Sequence, residues 1–116
     1  HINGTLWIGG IGMVSMVSIV IIETALSATL SAAGNNDVAG TRVNMEELYR
    51  QWRQFRQKNI DARPKDPQFA PNMLKAEESL FAASKLVDQE KPAAARAELE
   101  NAQTLIRNLR PQAEAQ

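Results

Sequence analysis

The chain has 116 residues with thirteen basic and thirteen acidic side chains, so it is electrically neutral and long enough for one small domain. It has no cysteine, which excludes disulfides and thiolate metal sites. Its single histidine, His1, supports neither a histidine metal set nor a Ser–His or Cys–His nucleophile.

Leu6 to Ile22 carries no charged side chain. Its length lies near the lower limit for crossing a hydrocarbon core of ~30 Å. Continuation through Thr24–Leu30 lets a tilted helix span, with Trp7 at one headgroup layer. The leading expectation is therefore a single transmembrane anchor within residues 1–30. Two readings compete with it. Ser31 and Ala33 ahead of Gly34 resemble the small-residue cleavage site of a secretory signal. Alternatively, the β-branched residues Val17, Ile19, Val20, Ile21 and Ile22 belong to a buried core helix or a pair of strands.

Gly9, Gly12, Ser15 and Ser18 recur every three residues and predict a helix-packing groove in the membrane, through which a partner helix approaches closely. Gly9-Gly10-Ile11-Gly12 lacks the Lys-Ser/Thr of a phosphate loop. Glu23 follows the apolar run directly and is the candidate intramembrane or interfacial acid.

Residues 31–43 are small and polar with two glycines, which reads as a linker. From Arg42 to Lys65 seven basic side chains stand against three acidic ones. By the positive-inside tendency this collar points to a cytoplasmic C-terminal part, whereas the Ala/Gln/Pro-rich tail resembles that of many bacterial envelope proteins, so the side of the membrane stays open.

The remainder, 44–116, predicts three helices, about 44–61, 72–89 and 92–110. Asn44 with Glu47 has the form of a capping box. Glu46 precedes Arg50 by four, a supporting pair. Met45, Leu48, Tyr49, Trp52, Phe55 and Ile60 share one side of this helix, with Arg50, Arg53 and Arg56 as a ridge beside it. Trp52, Phe55, Arg50, Arg53 and Arg56 are thus candidates for contact with a membrane surface or a partner. The competing reading makes the aromatics ordinary core. Pro64, Pro67 and Pro71 make a stiff connector in which Phe69 is an apolar pin.

Met73, Ala76, Leu80, Ala83 and Val87 form a heptad-like seam, as do Ala95, Leu99, Ala102, Ile106 and Leu109 after Pro92. A short loop between matching seams predicts an antiparallel hairpin ending at Pro111. Ala83, Leu86, Ala95, Leu99 and Ala102 are similar in spacing to the helix pair of a tetratricopeptide repeat, over ~30 residues and one unit. The early tryptophan of that family and an aromatic at the Leu99 position are missing. The resemblance implies peptide or protein binding.

The fold class expected is all-α: one transmembrane helix followed by a three-helix region. The function expected is non-catalytic, that of a membrane-anchored accessory or scaffolding subunit acting through helix–helix contacts. Its partners would be other membrane subunits, the lipid bilayer or a second copy of the chain. No cofactor, metal or nucleic acid is expected. The alternative is a secreted or periplasmic helical domain that binds a peptide or small ligand.

Overall fold

The computed structural model describes residues 10–62 and 67–114, with side chains described over 19–59 and 67–109. The described residues form four α-helices and no strand: α1 (Gly10–Gly34), α2 (Val38–Ala62), α3 (Phe69–Asp88) and α4 (Pro92–Glu114). α1 packs along both α2 and α4, α3 packs along α4, and α2 meets α3 only sparsely. The order around the bundle is therefore α2–α1–α4–α3, with an open seam where α3 returns to α2.

Among the described residues no helix is long and apolar enough to cross a membrane, so the single transmembrane helix expected within residues 1–30 is not supported. The physical reason is visible in α1. Ile19, Ile22, Leu26 and Ala33 are buried in the same core as Leu48, Trp52, Leu80 and Ile106. Glu23 lies half-buried on the same helix. Gly9 lies outside the described residues, and the packing expected of Gly12, Ser15 and Ser18 lies outside the described side chains.

In the stretch 31–43, read as a linker, helix covers every residue except the turn at 35–37. The turn is closed by two backbone bonds. Asp37 N–H donates to Ala32 C=O at 2.9 Å and Asn36 N–H to Ala33 C=O at 3.0 Å, with Asn36 left-handed at φ 56°. This is the Schellman pattern, which satisfies carbonyls orphaned at a helix end. Asp37 then starts α2, its Oδ1 accepting from Gly40 N–H at 2.9 Å. A Cβ at residue 40 would run into that carboxylate, which is why a glycine suits the third position. Asn44, expected as the cap, sits one turn inside α2 and donates to Gly40 C=O at 2.8 Å.

The second hairpin closes the same way. Lys91 N–H donates to Leu86 C=O at 2.9 Å and Glu90 N–H to Val87 C=O at 2.9 Å, with Glu90 at φ 59°. α3 begins at Phe69, earlier than expected, because Pro71 falls in the first turn where no N–H is required. Phe69 is buried, as its role of pin requires. α4 continues through Pro111 to Glu114 rather than stopping there.

The two hairpins share one pattern, offset by 54 residues. Buried Ile19, Ile22, Leu26, Thr29 and Ala33 correspond to buried Met73, Ala76, Leu80, Ala83 and Val87. Thr41, Met45, Leu48, Trp52 and Phe55 correspond to Ala95, Leu99, Ala102, Ile106 and Leu109. The left-handed residues Asn36 and Glu90 match as well. Several pairs are identical in type, among them Glu23/Glu77, Leu26/Leu80, Arg42/Arg96, Glu46/Glu100 and Arg53/Arg107. The bundle is thus two like hairpins packed together.

Candidate functional site

The matched hairpins pack unequally, and that inequality makes the site. The α1–α4 seam and the α3–α2 seam are counterparts, yet the first is closed and the second is not. Side-chain size accounts for this, since helix separation follows the residues at the contact. α2 carries Leu48, Trp52 and Phe55 where α4 carries Ala102, Ile106 and Leu109.

Near the connection between α2 and α3 the seam is tied. Phe55 lies 6.3 Å from Phe69 and 5.6 Å from Trp52, ring centre to ring centre. Trp52 Nε1 donates to Glu77 Oε1 at 3.0 Å, and an Arg56 guanidinium nitrogen donates to both Glu77 oxygens at 2.8 Å. One carboxylate on α3 therefore gathers two side chains of α2.

Towards the hairpin turns the helices part around a cleft of 540 Å³. α2 contributes Arg42, Met45, Glu46, Tyr49 and Arg53; α3 contributes Phe81, Ser84, Val87 and Asp88. Counting an equal rise of about 1.5 Å per residue along two antiparallel helices from the Trp52–Glu77 contact brings Tyr49 near the level of Phe81, Met45 near Ser84, and Arg42 near Val87 and Asp88. Met45 and Val87 are buried at the floor, and the charged residues are exposed at the rim. Each flanking ring carries a cation: the Arg53 guanidinium lies 5.6 Å from the Tyr49 ring centre and Lys85 Nζ lies 4.7 Å from that of Phe81. Burial pushes the Tyr49 phenol up, and the Glu77 charge pushes it further; Arg56 and Arg53 partly oppose this.

Among the described residues the ion pairs are Arg50–Glu47 at 2.6 Å, Arg56–Glu77 at 2.8 Å and Arg96–Glu100 at 3.5 Å. Arg42, Glu46, Arg53 and Asp88 belong to none of them. The contrast with the matched positions is direct, because Arg96 and Glu100 correspond to Arg42 and Glu46.

The residues singled out in the sequence are dispersed by the fold. Trp52 and Phe55 are 0% and 1% exposed, so they pack the core and present no surface to lipid or a partner. Arg50 is exposed and pairs with Glu47, not with Glu46 as the four-residue spacing suggested. Its hydrogen bonds, followed by that from Gln51, hold the Glu47 carboxyl below the usual range. Arg56 is half-buried against Glu77, and Arg53 alone of the three arginines reaches the cleft. Sequence reasoning missed Arg42, Glu46, Phe81 and Asp88 as cleft residues. Those on α3 lie off the heptad seam, and only the offset self-match of the chain pairs the α2–α3 seam with a closed counterpart.

Among the described residues no group of three His, Cys, Asp or Glu side chains could hold a metal ion. Comparison with known protein families, characterised proteins and solved structures gives no match, so the site is read from its own geometry.

Proposed function

We propose that this chain is a non-catalytic binding module, a helical scaffold that offers the α2–α3 cleft to a ligand or partner. The observation that carries this reading is the asymmetry of the bundle: of two equivalent seams one is packed shut, while the other opens on an apolar floor with charges of both signs at its rim. The lining of the cleft is mixed, with Met45, Phe81 and Val87 as apolar surface and Arg42, Glu46, Arg53 and Asp88 as groups that can orient what enters, and concavity with convergent polar groups is a feature of ligand sites. The charged groups of the rim are exposed, and charges held in water contribute little to acid–base chemistry. Membrane attachment is not needed for this reading, since Ile19, Ile22 and Leu26 are buried in the bundle.

The test is a binding screen read by backbone amide shifts of the isotopically labelled chain, using short peptides and small amphipathic molecules. Hits should move amides of residues 42–53 and 81–88 together. Ser84→Trp, which fills the cleft, should abolish them while leaving the helical circular dichroism intact. Hits that map elsewhere, or that survive Ser84→Trp unchanged, would sink the reading.

A further inference from the structure

We propose that the cleft mouth receives a compact zwitterion with an apolar side chain, specifically a free aromatic α-amino acid. The inference rests on the binding-module reading and names the ligand class for the same cleft.

At the end of the cleft nearest the hairpin turns, Arg42 and Glu46 on α2 face Asp88 on α3. These are a cation and two carboxylates on opposite walls, and no ion pair among the described residues joins them. At the matched seam Arg96 uses Glu100 as its partner at 3.5 Å. In the cleft the same residue types keep their hydrogen-bonding capacity for something placed between them. A ligand of single charge is matched by one sign of these groups and repelled by the other. A head group carrying an ammonium and a carboxylate on one carbon meets both, with the carboxylate on Arg42 and the ammonium on Asp88 and Glu46.

The apolar part follows from the next turn. Below the charged mouth, Met45 and Val87 make the floor, with Tyr49 and Phe81 as facing aromatic walls. An aromatic side chain about one helical turn long reaches these rings while its head stays at the mouth, and offset or edge-on ring packing suits it. Arg53, seated on Tyr49, stands at the rim one turn further along α2. The cleft of 540 Å³ holds one such molecule with water around it. Because the mouth is open, the affinity is modest, with Kd about 0.1–1 mM for a ligand of this size.

The experiment titrates L-phenylalanine into the labelled full chain and follows amide shifts. Saturable shifts confined to 42–53 and 81–88 are expected. Phenethylamine, which lacks the carboxylate, and 3-phenylpropionate, which lacks the ammonium, should each bind at least about tenfold more weakly. Arg42→Gln and Asp88→Asn should each weaken L-phenylalanine by a similar factor. Both positions are exposed, so their thermal midpoints should match the parent. The inference is overturned if L-phenylalanine gives no saturable shift, if either half-ligand binds as well as the whole, or if the shifts centre on a second, more open groove between α3 and α4, lined by Lys75, Glu78 and Asn101. If other molecules move the cleft amides while L-phenylalanine does not, the zwitterion assignment falls and the binding-module reading stands. If nothing moves them, both fall.

Discussion

Trp52 and Glu77 are 25 residues apart in the chain, and the indole N–H of the first donates to the carboxylate of the second at 3.0 Å. The tryptophan is fully buried, so this bond satisfies a donor that water does not reach. It also ties α2 to α3 beside the cleft.

Removing the acceptor should therefore matter more than removing its charge. Glu77→Ala leaves the indole N–H without a partner and should cost about 2–3 kcal/mol. Glu77→Gln keeps an oxygen for Trp52 and loses only the ion pair with Arg56, whose side chain is 43% exposed; its cost should stay below about 1 kcal/mol. Urea unfolding of the two variants decides the matter. Equal costs would mean that the Arg56 ion pair, not the indole bond, ties the seam.

Glu90 occupies a left-handed conformation at φ 59°, where a side chain is strained and glycine is not. Glu90→Gly should stabilise the chain by about 0.5–1 kcal/mol after the added flexibility of the unfolded glycine is allowed for. Asn36 has a similar φ of 56° but tolerates the region better, so Asn36→Gly should gain only a few tenths of a kcal/mol. Thermal melts of both variants test the ranking, and a drop in midpoint for Glu90→Gly would remove the Schellman account of that turn.

Much of the fold was legible because helical spacing survives folding. The seams Met73–Val87 and Ala95–Leu109 are buried at every position read from the sequence, and Phe69 pins the connector. What was illegible was the solvent of α1. An apolar helix looks the same whether lipid or protein surrounds it, and Ile19, Ile22 and Leu26 reveal their partner only through the matched positions Met73, Ala76 and Leu80. The caps misled for a related reason. Asn44 and Glu47 have capping types, but Asp37 starts the helix because the turn at Asn36 leaves it in place. The cleft could not be read from one helix at a time, since it arises where two helices fail to close.

The placement of α1 in the bundle carries its own prediction. Leu26→Ala and Ile22→Ala should each destabilise the chain in aqueous buffer by about 2–5 kcal/mol, the usual cost of truncating a buried aliphatic side chain. Ile21, 43% exposed on the same helix, should lose less than about 1 kcal/mol on truncation to alanine. Denaturant midpoints without detergent report the difference directly. Indifference to all three substitutions would mean that this stretch does not pack against α2 and α4 in water.

Tyr49 is the only tyrosine in the chain, so the near-ultraviolet absorbance of tyrosinate reports on the cleft alone. Burial and then the Glu77 charge raise its folded-state pKa, while an unfolded tyrosine titrates near ~10. The native midpoint should accordingly lie above ~10 and return to ~10 in denaturant. The sign of the linkage follows: folding favours the protonated phenol, so this contribution to stability is fully present below pH ~10 and is lost as pH rises through the folded midpoint. Glu77→Gln should lower the native midpoint without bringing it down to the denatured value, because burial is the larger cause. Filling the cleft with a bound ring should raise it, since more water is displaced from the phenol. Coincident native and denatured midpoints would show that Tyr49, and the cleft wall it forms, stands in water.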